Sequence, residues 1–241
     1  TLFPKSKDEL ERMIADEIRK NGNEYSLNHI DVSKITDMSD IFIDSDFNGD
    51  ISEWDVSNVE DMSGMFYKAK FNGDISKWDV SNVMDMTCIF SSCNKFNQPL
   101  NDWNVSNVII MDRMFCGCAS FNQPLDKWNV SNVTNMRWMF DNCKSFNQDI
   151  SNWDVSNVTD MRYMFYCCKS FNQPLNDWDV SNVNTMKSLF RGCKSFNQPL
   201  NNWDVSNVKE MNAMFYHCYN FNQNISNWDV SKVEEMIQMF S

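Results

Sequence analysis

Trp153-Asp154-Val155-Ser156-Asn157-Val158, followed by Met161, Met164 and Phe165, is one copy of a motif that returns along almost the whole chain. Its Val-Ser pair recurs at Val32, Val56, Val80, Val105, Val130, Val155, Val180, Val205 and Val230. The first three steps are 24, 24 and 25 residues, and every later step is 25. A fixed period in this range marks a repeat architecture in which each unit stacks on its neighbours. One elongated domain with a linear core is therefore expected.

A full unit from Cys143 reads C-K-S-F-N-Q-D-I-S-N-W-D-V-S-N-V-T-D-M-R-Y-M-F-Y-C. Trp153 and Val155 alternate with Asp154, which reads as a short strand. Val158, Met161, Met164 and Phe165 are spaced as one face of a short helix, with Ser156 as its N-cap and Ser57 with Glu60 as a capping box. F-N-Q-P-L, with Pro99, Pro124, Pro174 and Pro199, turns the chain back. The expected fold is an α/β solenoid: a right-handed coil with a parallel sheet on one face and short helices on the other. Each Trp of the column Trp54 to Trp228 is expected to lie over that of the next unit, on strands about 4.8 Å apart.

Residues 1–26 differ from the rest, and residues 27–241 hold about nine units, the last incomplete. Leu10, Met13, Ile14 and Ile18 share one face of a helix predicted over Lys7 to Lys20, with acids early, bases late and Gly22 as its stop. It reads as an amphipathic cap on the first coil. Its mixed polar face argues against a membrane-surface helix. Thr1 is not an initiator Met, as in a mature or trimmed form. Ser241 falls mid-unit, which leaves three readings open: a fragment, a lid made by the last helix, or oligomerisation through an uncapped C-terminal end.

Leu175, Trp178 and Val180 look like the L-x-x-L-x-L strand of leucine-rich repeats, with Trp in the second leucine's place. The whole unit resembles the 25-residue repeat of the BspA-like leucine-rich-repeat family of bacterial surface proteins, over about residues 27–241. The resemblance implies a leucine-rich-repeat-like coil, a place on the cell surface or secreted, and cell adhesion through protein binding.

Composition narrows the partners. Lys plus Arg number 21 against 33 Asp plus Glu, a formal charge of −12. That balance argues against nucleic acid and anionic membranes, and no apolar run is long enough for membrane insertion. Of nine cysteines, Cys93, Cys118, Cys143, Cys168, Cys193 and Cys218 form one column, where small half-buried residues fit. Free buried thiols are expected there, because stacked side chains point in parallel.

Chemistry has little to work with. His29 and His217 are the two histidines, Cys116-Gly117-Cys118 is too sparse for zinc, and the Cys167-Cys168 pair reads as a column thiol beside a variable residue. The outward column Asp55, Asp79, Asn104, Asn129, Asp154, Asp179, Asp204 and Asp229 is expected to accept backbone N–H groups in local turns, with calcium between coils as the sharper alternative. No cofactor, metal site or enzyme activity is expected.

The informative positions vary between units. The pair after the first Met, and the slot after Phe, gather Arg113, Arg137, Trp138, Arg162, Tyr163, Tyr166, Lys187 and Arg191 in the middle units. Stacking would set them side by side as a basic, aromatic patch of the residue types that dominate interface hot spots. The expected function is non-enzymatic binding of a protein or glycan outside the cell. The alternative is an intracellular interaction partner of the inhibitor or immunity type.

Overall fold

A computed structural model describes residues 1–240. Helix α1, Lys7–Asn21, begins at Ser6, whose hydroxyl accepts the Glu9 N–H at 3.3 Å. It stops at Gly22, which takes φ +92° and donates its N–H to the Ile18 carbonyl at 2.8 Å. Leu10 and Ile14 are buried, and Met13 and Ile18 pack at the edge of the same core. Lys7 reaches Ser39 at 2.6 Å and His29 reaches Glu17 at 3.2 Å, fastening the helix to the first unit.

Beyond α1 the described residues contain no further helix and no strand longer than one residue. Neighbouring units meet at single parallel bridges: Asp37 with Asp61, then Asp85, Ile110, Asn135, Asp160, Thr185, Glu210 and Glu235 in turn. The expected leucine-rich-repeat-like α/β solenoid, with a parallel sheet and short helices, is therefore not what forms.

The physical reason lies in the hydrogen bonds. Met164 donates to the Met161 carbonyl at 3.2 Å, Tyr166 to Tyr163 at 3.1 Å and Cys168 to Phe165 at 3.0 Å. These bonds run back three residues, as in β-turns, and not four as in an α-helix. The N–H groups between them leave the unit altogether. Tyr163 donates to Lys187 at 2.9 Å, Phe165 to Leu189 at 3.0 Å and Cys167 to Arg191 at 2.7 Å. Tyr163 and Cys167 take φ +59° and +57°. That sign at the third residue is the signature of a type II turn. Met161, Met164, Phe165 and Cys168 are the turn ends and face inward, fully buried. Arg162, Tyr163, Tyr166 and Cys167 are the corners and are half-buried. Two such turns in succession give the i, i+3, i+4, i+7 spacing of a helix without being one.

The Trp segment is likewise built of turns. Trp153 donates back to Ile150 at 3.1 Å and Val158 to Val155 at 2.9 Å. Ser156 caps no helix. Its N–H goes to the Asp154 carboxylate at 3.1 Å and its hydroxyl to the same oxygen at 2.6 Å. The outward Asp column thus bonds locally, as expected, and these bonds hold the Asp154 carboxyl below its ordinary range.

Rings fill the core between coils. Phe165 lies 4.3 Å from Phe171, six residues on, and 5.7 Å from Phe190, one period on, nearly parallel in both cases. The indoles of Trp153 and Trp178 are also parallel, at 6.5 Å, and each is almost fully buried. Their N–H groups donate to Leu125 at 3.0 Å and Ile150 at 3.1 Å in the preceding unit, so neither buried polar atom is orphaned.

Two polar columns tie the coils outside this core. The Asn147 side chain accepts the Asn172 N–H at 2.9 Å, and Gln173 donates to the Asn147 carbonyl at 3.0 Å. Asn157 donates to the Ser131 carbonyl at 2.7 Å. F-N-Q is therefore a ladder as well as a bend. All nine cysteines are free thiols. Those of the column donate to carbonyls of the preceding unit, as Cys168 does to Phe140 at 2.8 Å. Burial pushes the Cys93 thiol up to about 12.

Candidate interaction surface

The variable slots are the corners of the turns. Arg137, Arg162 and Lys187 hold the first corner in successive units, and Arg113, Trp138 and Tyr163 the second. Tyr166 and Arg191 hold the first corner of the next turn. The half-buried corner side chains stand outside the core, unlike the buried corners Asp112, Ser188 and Ala213, so their identity is left to other demands.

The structure links six of the eight predicted residues. The Arg113 guanidinium sits 4.1 Å from the Trp138 ring centre, and that of Arg137 sits 5.6 Å from it. Trp138 stacks on Tyr163 at 5.0 Å with an interplanar angle of 7°. Tyr163 meets Tyr166 at 5.8 Å, tilted by 58°. Arg191 lies between Tyr166 and Tyr216, at 5.6 and 4.9 Å. Arg162 and Lys187 stand beside this ladder. Arg162 is turned to Asp160, with Nε 2.9 Å from each carboxylate oxygen. The half-buried Lys187 side chain has no ion pair among the described residues.

The patch is less basic than its composition. Asp112, only 4% exposed, takes Arg113 at 3.1 Å and Arg137 at 2.9 Å. Its Oδ1 and the Arg137 Nε are buried without partners among the described residues. A neighbouring carboxyl, Asp141, is pushed above its ordinary range by burial, against the Cys116 thiol at 3.4 Å and the Asn142 amide at 2.7 Å, which hold it down. The surface is thus an aromatic and guanidinium ladder with carboxylates set into its base.

Sequence reasoning missed Asp112, Asp160 and Tyr216. The signal for Tyr216 was present, since it occupies the slot of Tyr166 and Arg191 one unit on. Asp112 occupies the slot of Arg137, which gave no sign that the two would pair across units.

Left-handed backbone at Trp138, Tyr163 and Arg113, φ +53°, +59° and +55°, is costly for residues with a Cβ. It is not a mark of this site, because Asp40, Cys88, Ser188 and Ala213 share it in the same slot. Gly64 fills that slot in its unit, where an added Cβ would collide with the Asp40 carboxylate.

Among the described residues, no group of three His, Cys, Asp or Glu side chains is placed to hold a metal ion. His217 accepts or donates at 2.9 Å with the Tyr219 hydroxyl, while the Cys218 thiol donates to the Phe190 carbonyl at 2.6 Å. The two neighbours in sequence are engaged with different partners. Among the same residues, no helix is long and apolar enough to cross a membrane.

The family described as Mycoplasma protein of unknown function, DUF285, matches residues 8–117, 99–188 and 174–241. The chain belongs to this family. The three overlapping matches agree with the repeat read from the sequence, and the DUF285 match carries no activity with it. Comparison with curated proteins finds no match, and neither does comparison with solved structures.

Proposed function

We propose that this DUF285 chain is a non-enzymatic binding module whose protein partner docks on the corner ladder. The observation that carries the reading is the unbroken contact series Arg113–Trp138–Tyr163–Tyr166–Arg191–Tyr216 on half-buried corners. Arg, Trp and Tyr are the side chains from which interface hot spots are made. The ladder favours a protein over a glycan. Trp138 has Arg113 from the unit before and Tyr163 from the unit after against its ring, so it offers solvent an edge and no free face for a sugar. The resemblance of the repeat to the BspA-like family supports a place on the cell surface and a role in adhesion.

A second reading places the protein inside the cell as an interaction partner. Nine free thiols favour it, since a reducing compartment keeps thiols in that state.

The test of the docking site is a double replacement, Trp138→Ala with Tyr163→Ala, in the full chain. Photo-crosslinking from the Tyr166 position would identify the captured protein. Its affinity for the double variant is expected to fall by about 100-fold, the range of two interface anchors. Unchanged affinity with an unchanged melting temperature would move the partner elsewhere.

A further inference from the structure

Two surface depressions share one pair of columns, away from the ladder slots. The first, about 500 Å³, is lined by Glu60, Asn82, Met84, Asn107, Ile109 and Asn132. The second, about 460 Å³, takes up the same columns at Asn157 and Thr159 and runs to Lys209 and Lys232. The two follow one another along the stack as a segmented groove, with Thr134 between Ile109 and Thr159 in the same column.

One wall is a row of asparagines held in place. Asn82, Asn107, Asn132, Asn157 and Asn182 each donate Nδ2 to a Ser carbonyl of the preceding unit, every one at 2.7 Å. Their Oδ1 oxygens accept no hydrogen bond among the described residues. At the far end, the Lys232 ammonium lies on the Asn207 Oδ1 at 2.7 Å, so an N–H donor does use this row. The other wall changes along its length. It starts at Glu60, continues as Met84 and Ile109, each 44% exposed, passes Thr134, Thr159 and Asn184, and ends at Lys209. Two adjoining aliphatic side chains stand in water in a column that is otherwise polar or charged.

We propose that this groove binds an extended peptide segment of a partner protein. Its cationic end would lie at Glu60, aliphatic side chains on Met84 and Ile109, backbone N–H groups against the asparagine oxygens, and acidic residues at Lys209 and Lys232. Glu60 and Lys209 are six units apart in one column. At about 4.8 Å per unit that is ~29 Å, the span of about nine extended residues. Opposite charges at the two ends fix the direction of the occupant. A neutral glycan fits less well, because the shelf is aliphatic and, among the described residues, no aromatic ring lines the groove.

The test uses two labelled nine-residue peptides, written in opposite chain directions. Each carries Lys at one end, Leu at the second and fourth positions from it, Asp-Glu at the other end and Ser between. Fluorescence anisotropy is expected to show binding of one direction over the other. Met84→Glu with Ile109→Glu should weaken it by about tenfold or more, as loss of an interface anchor does. Lys209→Glu with Lys232→Glu should do the same, and a peptide ending in Lys-Lys should restore binding to that variant. Trp138→Ala, on the ladder, should leave the affinity unchanged, which separates this site from the docking reading above. The proposal is overturned if neither peptide binds, if the groove variants bind like the parent, if Trp138→Ala abolishes binding, or if a linear hexasaccharide displaces the peptide.

Discussion

Helix α1 and the turn segment from Met161 to Cys168 present nearly the same apolar spacing and become different structures. In α1, Leu10, Met13, Ile14 and Ile18 line one face, and main-chain bonds close inside the element between a Ser6 cap and a Gly22 stop. In the turn segment, alternate N–H groups bond three residues back and the others bond the next unit. The helix is complete in itself apart from one buried face. The turn segment is complete only when a neighbour is present. Spacing therefore reports which residues face inward, and the destination of the N–H groups decides what the backbone does between them.

The largest test of this difference removes one inward ring from each region. Phe165 contacts Phe140, Phe171, Trp178 and Phe190, so its loss opens a void shared by three units. Phe165→Ala is expected to cost about 3–5 kcal/mol and to lower the urea midpoint of the whole chain, read by tryptophan fluorescence. Ile14→Ala, also a buried position, is expected to loosen α1 while the tryptophan transition keeps its midpoint. Equal loss in the fluorescence transition from both variants would show that α1 folds as one unit with the stack.

A smaller effect separates the bonds between units from those inside α1. The Asn147 Oδ1 receives both the Asn172 N–H and the Gln173 amide, at 2.9 and 3.1 Å. Asn147→Ala leaves the Asn172 N–H without its acceptor, while Gln173 keeps the Asn147 main-chain carbonyl at 3.0 Å, and is expected to cost about 1–3 kcal/mol, measured by urea unfolding. Asn21→Ala in the last turn of α1 removes only an exposed contact to Glu17 and should change the midpoint little.

Glycine substitution should act with opposite sign in the two regions. Lys68 is an exposed corner at φ +58°, where an L side chain is strained. Lys68→Gly is expected to be neutral or to stabilise by up to about 1 kcal/mol, relief at the corner being partly offset by the freer unfolded chain. Ala15→Gly, at an exposed position inside α1, is expected to destabilise by about 1 kcal/mol. Thermal melts of both variants check the signs, and a loss at Lys68 equal to that at Ala15 would refute the turn description.

Much of this molecule was legible before its coordinates. The period, the inward columns, both ends of α1, the burial of the indoles and the local bonding of the Asp column follow from the residues themselves. The strand and helices were misassigned because consecutive turns and a helix share an apolar spacing. The usual warning of a left-handed corner is Gly, and Trp138, Tyr163 and Cys167 hide it. At the candidate surface, the stacking of Trp138 on Tyr163 follows from their shared slot one unit apart. The capture of Arg113 and Arg137 by a buried Asp112 does not, because nothing local distinguishes that carboxylate from the solvated ones of other columns.

The finest contrast concerns what holds a turn. Helix α1 depends on main-chain acceptors, which do not titrate, whereas the Trp-Asp-Val-Ser turn depends on a carboxylate. Ser156, Ser206 and Ser81 bond Asp154, Asp204 and Asp79, and these bonds lower each carboxyl from its ordinary 3.8. A lowered folded value means that the stabilisation is present above 3.8 and is lost as pH falls through the lower folded value. The chain carries its own control, because Asn104 and Asn129 occupy the same column and accept the Ser106 and Ser131 N–H groups at 3.1 Å without titrating. Asp154→Asn should therefore keep the turn and reduce the fall of the urea midpoint between pH 5 and pH 2.5, a range set by the ordinary carboxylate value. Asp154→Ala should lower the midpoint at pH 6, where the other variant does not. If the asparagine variant showed the same acid dependence as the parent, the titrating groups would lie elsewhere in the coil.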